Sequence, residues 1–203
     1  MYSQNKEEQY ILEYFKGRTG AFLDLGCNDC KTFSNTRALF ELGWKGVLVD
    51  PSPKAISKCR ELYNGHKGVY IYEYAISDHN GKKMLQQSGQ LIDSRDVALV
   101  STFHDSEMGR FKQTVSYTPV EVKTFRWKTF LNRLKSIKMQ DFNFVSIDCE
   151  GDDLEILSQM DLSKVELICL EWNGKPDLKK AFEEYLQGFK LIYTSGENLL
   201  YGR

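Results

Sequence analysis

The sequence predicts an α/β fold, with a mostly parallel sheet, helices on both faces and an antiparallel hairpin at the carboxyl end. Short apolar runs alternate with segments of helical spacing, which is the pattern of parallel strands joined by crossover helices. A glycine turn follows the first apolar run within residues 21–50, as in a βαβ unit. Two further apolar runs flank the turn at 195–198 (SGEN), which indicates the hairpin.

Length and composition fit one globular domain over residues 1–203. A chain of 203 residues can bury one large core, and its 41% hydrophobic content is ordinary for a soluble protein. Lysine and arginine (27) nearly balance aspartate and glutamate (28), for a formal net charge of -1. The chain therefore lacks the overall field that attracts nucleic acid or membrane surfaces.

The amino-terminal segment and the cysteines bear on location. Residues 1–15 carry charges where a signal peptide needs an apolar core. No apolar run approaches the roughly 20 residues that cross a bilayer, so we expect a cytoplasmic protein without a membrane span. Five scattered cysteines do not indicate a disulfide framework, and Cys149 and Cys169, which lie in apolar runs, are most simply buried thiols.

The first half of the chain alternates between helices and strands. Apolar residues within 7–15 have the spacing of an amphipathic helix. Prolines after the second strand suit a helix start, where the missing N–H is unpaired anyway. The turn at 78–81 (DHNG) predicts a hairpin between 75 and 85. The predicted elements are a helix over 7–15, a strand over 21–25, a helix over 34–42, a strand over 46–50, a helix over 54–63 and a strand over 69–76.

The second half resumes this alternation after an insertion. Residues 86–118 are polar with few periodic apolar positions, so we expect an inserted, irregular and partly mobile region there. The elements predicted beyond it are a strand over 120–125, a helix over 127–137, a strand over 142–147, a helix over 152–160, a strand over 165–171, a helix over 177–186, and hairpin strands over 189–194 and 199–202.

Ligands of a doubly wound sheet bind in the crevice beyond the carboxyl ends of its strands. All five such ends lie on one edge, so the rule selects candidate residues without a structure. His66 precedes the third strand, and we expect it on the surface at the opposite edge. The segments that follow the strands are 24–28, Asp50, 75–78, 148–150 and 171–173.

The loop after the first strand suits a nucleoside ligand that carries an amino-acid group. Gly26 lets a ligand approach the backbone, and the following helix offers free N–H groups to a carboxylate. Asp24 is placed to bind an ammonium group. Together these groups fit S-adenosylmethionine, whereas residues 27–30 (CNDC) replace the glycines of a dinucleotide fingerprint. The alternative is an ordinary turn capped by Asn28 or Asp29.

Asp50 ends the second strand, where one carboxylate can accept hydrogen bonds from both hydroxyls of a ribose. Its alternative role is the N-cap of the following helix, and we favour ribose binding. The spacing Cys27-x-x-Cys30 also permits a redox or zinc site. That interpretation is weaker, because a lone pair of cysteines needs distant residues to complete a four-ligand zinc site.

The turn at 148–151 (DCEG) is the second candidate site segment. Asp148 and Glu150, at i and i+2 on a strand end, point to the same side, into the crevice. Their alternative role is to complement the helix macrodipole, which Asp152 and Asp153 already do. Glu150 could orient the cofactor, accept a substrate proton, or hold a divalent cation with Asp148. The residues do not decide among these roles, and a metal stays undecided.

Five segments carry a family likeness: FLDLGCNDCKTFSNT, GVLVDPSP, YAISDHNGKK, KTFRWKTFLNRL and FVSIDCEGDDLEILSQM. In order and spacing they resemble the FkbM family of S-adenosylmethionine-dependent methyltransferases, from about residue 20 to the end of the sequence. The most specific part, SIDCEGDDLEIL, is similar to an acid-x-Glu-Gly motif that leads into a helix. The resemblance implies a class I methyltransferase (Rossmann-like) fold, S-adenosyl-L-methionine as the cofactor, and usually O-methylation of sugar or secondary-metabolite hydroxyls.

The resemblance also implies residue roles. Asp24, Gly26 and Asn28 match the family's cofactor loop, Asp50 its ribose acid and 75–76 its adenine-side segment, while Asp148 and Glu150 match its motif near the reacting groups. One departure is Cys30, where the family commonly has glycine. With the neighbouring residues Cys27 and Pro51, the predicted cofactor-binding residues are Asp24, Gly26, Cys27, Asn28, Asp50, Pro51, Ala75, Ile76 and Asp148.

Methyl transfer is an in-line displacement, so catalysis consists mainly of aligning the reacting groups. An alcohol acceptor also needs a base or a metal to take up its proton. Asp148 and Glu150 are the favoured catalytic residues. His104, in the insertion, is a third candidate because histidine titrates near neutrality, although a solvated histidine is the simpler interpretation for both His104 and His79.

We therefore expect an O-methyltransferase that acts on a sugar, glycan or other small molecule. Trp172 and Asn173 could line the acceptor side of its site, although Trp172 could instead simply pack in the core. One alternative is a non-catalytic S-adenosylmethionine- or nucleotide-binding module. Another is an RNA methyltransferase, although nucleic acid is the less favoured partner because basic residues on a helix usually form its solvated face. Those basic residues are Arg126, Lys128, Arg133, Lys135 and Lys138. The sequence does not predict an oligomeric state.

Overall fold

The computed structural model describes residues 1–89, 98–111 and 113–203. The helices are α1 (Glu7–Phe15), α2 (Arg37–Glu41), α3 (Pro53–Leu62), α4 (Asp105–Phe111), α5 (Trp127–Leu134), α6 (Asp153–Ser158) and α7 (Pro176–Tyr185), and a short 3-10 helix (Lys135–Ile137) follows α5. The strands are β1 (Ala21–Leu25), β2 (Lys45–Asp50), β3 (Val69–Glu73), β4 (Ala75–Ile76), β5 (Gly81–Ser88), β6 (Tyr117–Phe125), β7 (Phe144–Ile147), β8 (Leu167–Glu171), β9 (Lys190–Thr194) and β10 (Asn198–Gly202).

Seven strands form the main sheet, in the order β3-β2-β1-β7-β8-β10-β9. The first five run parallel, and β10 lies antiparallel between β8 and β9. The predicted mostly parallel sheet with a carboxyl-terminal hairpin is therefore confirmed. Because β1 is central, its carboxyl end lies next to those of β2 and β7, and the segments that follow these three strands meet at one edge.

Helices cover both faces of this sheet, because the central strands are apolar on both sides. Alternate residues of β1 supply the two cores: Leu23 and Leu25 face one layer of helices, and Phe22 faces the other. The first layer contributes Phe130, Ile156 and Phe182 from α5, α6 and α7, and the second contributes Ile11, Leu39 and Ile56 from α1, α2 and α3. The edge of the sheet where the segments after β1, β2 and β7 meet is thus held between two packed layers of helices.

The hairpin predicted between 75 and 85 is wrong. In the second sheet, ordered β4-β6-β5, the strand β6 lies between the other two, parallel to β4 and antiparallel to β5. The single strand predicted over 69–76 also divides at Tyr74. Its buried ring packs edge-on against Phe125, with 4.9 Å between ring centroids, and this contact turns the chain from one sheet into the other.

The region 86–118 is more regular than its polar sequence predicts. It contains the end of β5, the helix α4 and the start of β6, and β5 pairs with β6 along its whole length. Only two positions of each strand are buried, so the apolar alternation that indicates a strand in sequence is weak within 86–118. Residues 90–97, which belong to the same predicted insertion, lie outside the described residues. A single domain over 1–203 stays a prediction.

Among the helices in the described ranges, none has the length and apolar character needed to cross a membrane.

Candidate active site

A cavity opens at the carboxyl edge of the main sheet, beyond β1, β2 and β7. All nine predicted cofactor-binding residues line it, and so does Glu150. They come from separate segments of the chain, which the strand order β2-β1-β7 brings together. Their role in cofactor binding stays a prediction.

Gly26 is required for a reason that differs from the predicted one. Its φ is +81°, and a Cβ on this residue would overlap the backbone carbonyl oxygen of Asp148. The residue therefore lets the loop after β1 pack against the loop after β7, which brings the two candidate site segments into contact. Glycine is favoured here because it has no Cβ and adopts positive φ without strain.

The Asp50 carboxylate is held between two backbone donors. Asn28 N donates to Oδ2 at 2.9 Å, and Ser52 N donates to Oδ1 at 2.8 Å. The alternative role as helix N-cap belongs instead to Ser52, whose side chain accepts from Ala55 N. A carboxylate offers about four lone-pair sites, so each Asp50 oxygen retains one for a ligand hydroxyl. Burial raises the pKa of Asp50 to about 6, although the two backbone hydrogen bonds oppose this shift.

Asp24 is also buried, and it carries its proton more readily than Asp50. The hydroxyl of Thr36 donates to Oδ2 at 2.6 Å. Burial raises the pKa of Asp24 to about 7, and the nearby charge of Asp50 adds to the shift. A ligand ammonium beside Asp24 would favour the ionised form, because an opposite charge lowers the pKa of a carboxyl group.

These two pKa values predict a pH dependence of cofactor affinity. We expect the affinity for S-adenosylhomocysteine to rise as the pH increases through about 6 and about 7, because Asp50 and Asp24 ionise there. Isothermal titration calorimetry over this range measures the effect. The control Asp24→Asn should remove the upper part of the rise, and a pH-independent affinity of the wild-type protein would contradict the role of both acids.

The same shifts act on the stability of the ligand-free protein in the opposite direction. Both folded-state pKa values lie above the ordinary carboxyl value of 3.8. At low pH, where both acids are protonated, they contribute to the stability of the folded protein. This contribution is lost as the pH rises through about 6 and about 7, since the unfolded state releases the same protons at lower pH.

The turn after β7 aims two acids into the crevice. Glu150 has a φ of +48° and Gly151 a φ of +114°, so the chain turns sharply before α6. Asp153 accepts hydrogen bonds from the N–H groups of Cys149 and Gly151, at 3.3 and 3.2 Å. Asp153 thus holds the backbone of the turn, and Asp148 and Glu150 line the cavity, with Glu150 Oε2 3.9 Å from Nη1 of Arg110.

Glu171, at the end of β8, completes an acidic group that the sequence interpretation missed. One carboxylate oxygen each from Asp148, Glu150 and Glu171 lies within 4.8 Å of the others. Burial raises the pKa of all three residues, and the charge of Glu171 raises those of Asp148 and Glu150 further. The strand-end rule includes Glu171, but the sequence suggests an acceptor-side role only for Trp172 and Asn173, which follow it. Three close oxygen donors would suit a divalent cation such as Mg²⁺.

A second cavity lies on the other side of these acids. It shares Asp148, Glu150 and Phe33 with the first cavity and extends to Glu171 and Asn173. Leu99 also lines both cavities, and the other lining residues of the second include Arg110, Phe111 and Glu197. The predicted acceptor-side position of Asn173 fits this cavity, whereas Trp172 packs against the core and donates its Nε1–H to the Ser195 carbonyl at 3.0 Å.

His104 lines neither cavity, which differs from its predicted catalytic position. Its Nε2 lies 2.7 Å from Asp152 Oδ1, and its ring packs against Gly151. His104 therefore contacts the turn after β7 without reaching either cavity. His79 pairs with its neighbour Asp78, and its side chain is 40% exposed to solvent.

The insertion contributes a wall of the first cavity. Ala98, Leu99, Ser101 and Phe103 line it, and the hydroxyl of Thr102 donates to the Glu150 carbonyl at 2.7 Å. No motif marks these residues, so the sequence did not connect them with the site.

The cysteines differ from expectation. Cys30 and Cys59 form a disulfide between the cofactor loop and α3, and the free thiol of Cys27 lies 4.0 Å from the Cys59 sulfur. Cys149, expected to be buried, is half-buried at the cavity wall, whereas Cys169 is buried as expected.

Comparison with known proteins supplies a family. Residues 24–191 match the domain family described as methyltransferase FkbM domain. The 2-O-methyltransferase NoeI of Sinorhizobium fredii (strain NBRC 101917 / NGR234) is 23% identical over 201 residues, covering 94% of this chain and 80% of that protein.

Solved structures share the fold at low identity. The ribosomal protein L11 methylase of Lactobacillus delbrueckii subsp. bulgaricus superposes with a TM-score of 0.51 at 11% identity, covering 98% of this chain and 77% of that one. An O-methyltransferase from Bacillus cereus, in complex with SAH, superposes with a TM-score of 0.50 at 10% identity, covering 98% and 80%.

Proposed function

The chain belongs to the FkbM methyltransferase family, and from this premise we propose that it transfers the methyl group of S-adenosyl-L-methionine to a hydroxyl group of a sugar, glycan or similar small molecule. The observation that carries the proposal is the wall shared by the two cavities. Asp148 and Glu150 line both, so a cofactor in the first and an acceptor in the second would meet at these acids. A non-catalytic binding module has no need of the second cavity.

The first cavity fits the cofactor at both of its polar ends. Asp50 retains two acceptor sites for ribose hydroxyls, and Asp24 is a buried acid placed for an ammonium group. When bound, S-adenosylmethionine supplies a methyl group on a positively charged sulfur. The protein's contribution is to orient this group and to exclude water, through the glycine-containing loop and the wall from the insertion.

The acids at the shared wall can take up the acceptor proton. With S-adenosylmethionine held beside Asp24 and Asp50, the cofactor would supply the methyl group and its sulfur would be the leaving group. A carboxylate of this chain would take up the proton of the acceptor hydroxyl. Glu150 suits this role because its raised pKa makes its ionised form a stronger base. A divalent cation held by the three acids is an alternative way to activate the hydroxyl, and the proposal does not require it.

The charge of the second cavity favours a neutral polyhydroxyl acceptor over a phosphate-bearing one. Among the lining residues that the structure describes, four carry carboxylates (Asp148, Glu150, Glu171 and Glu197) and one, Arg110, carries a guanidinium. Carboxylates accept hydrogen bonds from hydroxyl groups but repel phosphates. The basic residues in and next to α5 that suggested nucleic acid line neither cavity.

Two aromatic rings complete the fit to a sugar. Phe33 is 44% exposed although it is large and apolar, and it lines both cavities. Phe111 lies across the second cavity. An exposed apolar ring beside hydrogen-bonding acids matches a sugar, which has an apolar ring face and polar edges.

A panel of acceptors tests the proposal. We expect S-adenosylhomocysteine to form when the protein and S-adenosylmethionine are incubated with neutral sugars or oligosaccharides, with a methylated product visible by mass spectrometry. Phosphorylated sugars and an RNA oligonucleotide serve as the contrasting arms. Methylation of RNA that weakens with added salt would favour the nucleic-acid alternative, and cofactor binding without turnover on any arm would favour a binding module.

A further inference from the structure

We propose that the Cys30–Cys59 disulfide braces the ribose-binding end of the cofactor site, so that cofactor affinity falls when the disulfide is reduced. This inference rests on the proposed cofactor. The two cysteines are fully buried, their Cα atoms are 5.4 Å apart, and 29 positions separate them in sequence. This Cα separation lies within the range of ordinary disulfides. Nothing in the proposed reaction uses either residue.

The disulfide connects the two segments that orient Asp50. Asn28, two residues before Cys30, donates its N–H to one oxygen of Asp50, and Ser52, the N-cap of the helix that carries Cys59, donates its N–H to the other. A covalent link between the loop and α3 therefore fixes the relative position of the two donors. Preorganised donors raise affinity because binding no longer has to order them.

The loop backbone also needs support. Asn28 and Cys30 both have positive φ, at 45° and 61°, a conformation that costs free energy for residues other than glycine. Such conformations persist only where surrounding contacts enforce them. The disulfide supplies a covalent restraint at Cys30.

Cys27 is the third sulfur of the group but is poorly suited to react with the disulfide. It lies 4.0 Å from the Cys59 sulfur. Burial raises its pKa well above the ordinary value, and the charges of Asp50 and Asp24 add to this, so it remains a thiol. Thiolates are the attacking species in disulfide exchange. A three-thiolate zinc site here would also place further negative charge beside two buried acids.

The redox step is a two-electron thiol–disulfide exchange with an external dithiol. One thiolate of the reductant attacks a sulfur of the disulfide, the other protein sulfur leaves as a thiolate and takes up a proton, and the second thiol of the reductant then releases the remaining cysteine. The protein gains two thiols and the dithiol becomes a disulfide. Because both sulfurs are buried, the loop must open first. A bound cofactor that holds the loop closed should therefore slow reduction. By linkage, it must also shift the reduction equilibrium toward the disulfide by the same factor as the disulfide raises cofactor affinity.

Calorimetry with S-adenosylhomocysteine tests the brace. Protein oxidised with glutathione disulfide should bind about tenfold more tightly than protein reduced with a phosphine, and peptide mapping should show the Cys30–Cys59 link only in the oxidised form. The double variant Cys30→Ser/Cys59→Ser should bind S-adenosylhomocysteine with the affinity of the reduced protein, and the phosphine should not change that affinity. Cys27→Ala should keep the redox response. Saturating S-adenosylhomocysteine should slow reduction by dithiothreitol.

Several outcomes would overturn the proposal. Equal affinity of the oxidised and reduced forms for S-adenosylhomocysteine would contradict the proposed effect of the disulfide but leave the proposed function intact. If neither form bound S-adenosylhomocysteine, both proposals would be contradicted. Five free thiols after oxidation would show that the link does not form. Tight binding of Zn²⁺ by the reduced protein, with recovery of full affinity, would assign the three sulfurs to a metal site instead. If the double variant does not fold, the comparison of oxidised and reduced wild-type protein decides alone.

Discussion

Replacing Asp50 with alanine is expected to weaken binding of S-adenosylhomocysteine about 100-fold, while the protein stays folded. The change removes two charge-assisted hydrogen bonds to the ribose, and a loss of about 2.8 kcal/mol corresponds to that factor. Calorimetry measures the affinity, and circular dichroism tests the fold.

The variant must be separated from a general loss of stability. Removing the carboxylate leaves the N–H groups of Asn28 and Ser52 without their acceptor, so the melting temperature should fall. Asp141→Ala, at an exposed acid remote from both cavities, is the matched control and should bind as the wild-type protein does. An Asp50→Ala protein that is folded and binds with unchanged affinity would remove the ribose assignment.

Replacing Glu150 with glutamine is expected to lower turnover about 1000-fold, with the affinity for S-adenosylhomocysteine nearly unchanged. Glutamine keeps the size of the side chain but cannot take up the acceptor proton. With the wild-type protein, turnover should rise with pH as Glu150 ionises, because burial and the charge of Glu171 raise its pKa. This experiment uses the acceptor identified in the panel.

A charge-matched control and a metal test complete that experiment. Glu184→Gln, at an exposed position of α7, should retain wild-type turnover. If Glu150→Gln retains it as well, the base lies elsewhere. Loss of wild-type turnover with a chelator, and its recovery with Mg²⁺, would indicate that Asp148, Glu150 and Glu171 act by holding a cation.

The fold and half of the candidate site could be predicted from the sequence. Strands such as β1 and β8 are apolar on both faces, so their runs are visible whatever packs against them. The strand-end rule depends only on chain order, and it placed Asp24, Asp50 and Asp148 at one edge. The family motifs selected the same residues, and their position around one cavity agrees with both arguments.

Other features were decided by contacts between distant residues. The strand β6 separates β4 from β5 because it pairs with both, and no turn signal reports such an insertion. The second cavity depends on Phe33, Arg110 and Glu171, which come from three unconnected parts of the chain. Cys59 meets the cofactor loop only because α3 packs beside it.

The sequence by itself determined the main sheet, the loop after its first strand and the acids at the ends of its strands. The tertiary structure decided the second cavity, the third acid and the disulfide. The physical reason is the distance along the chain over which each kind of signal acts. Hydrophobic period and turn chemistry act between residues near in sequence, whereas a cavity wall or a disulfide depends on how distant surfaces pack, and packing leaves no periodic trace in the chain.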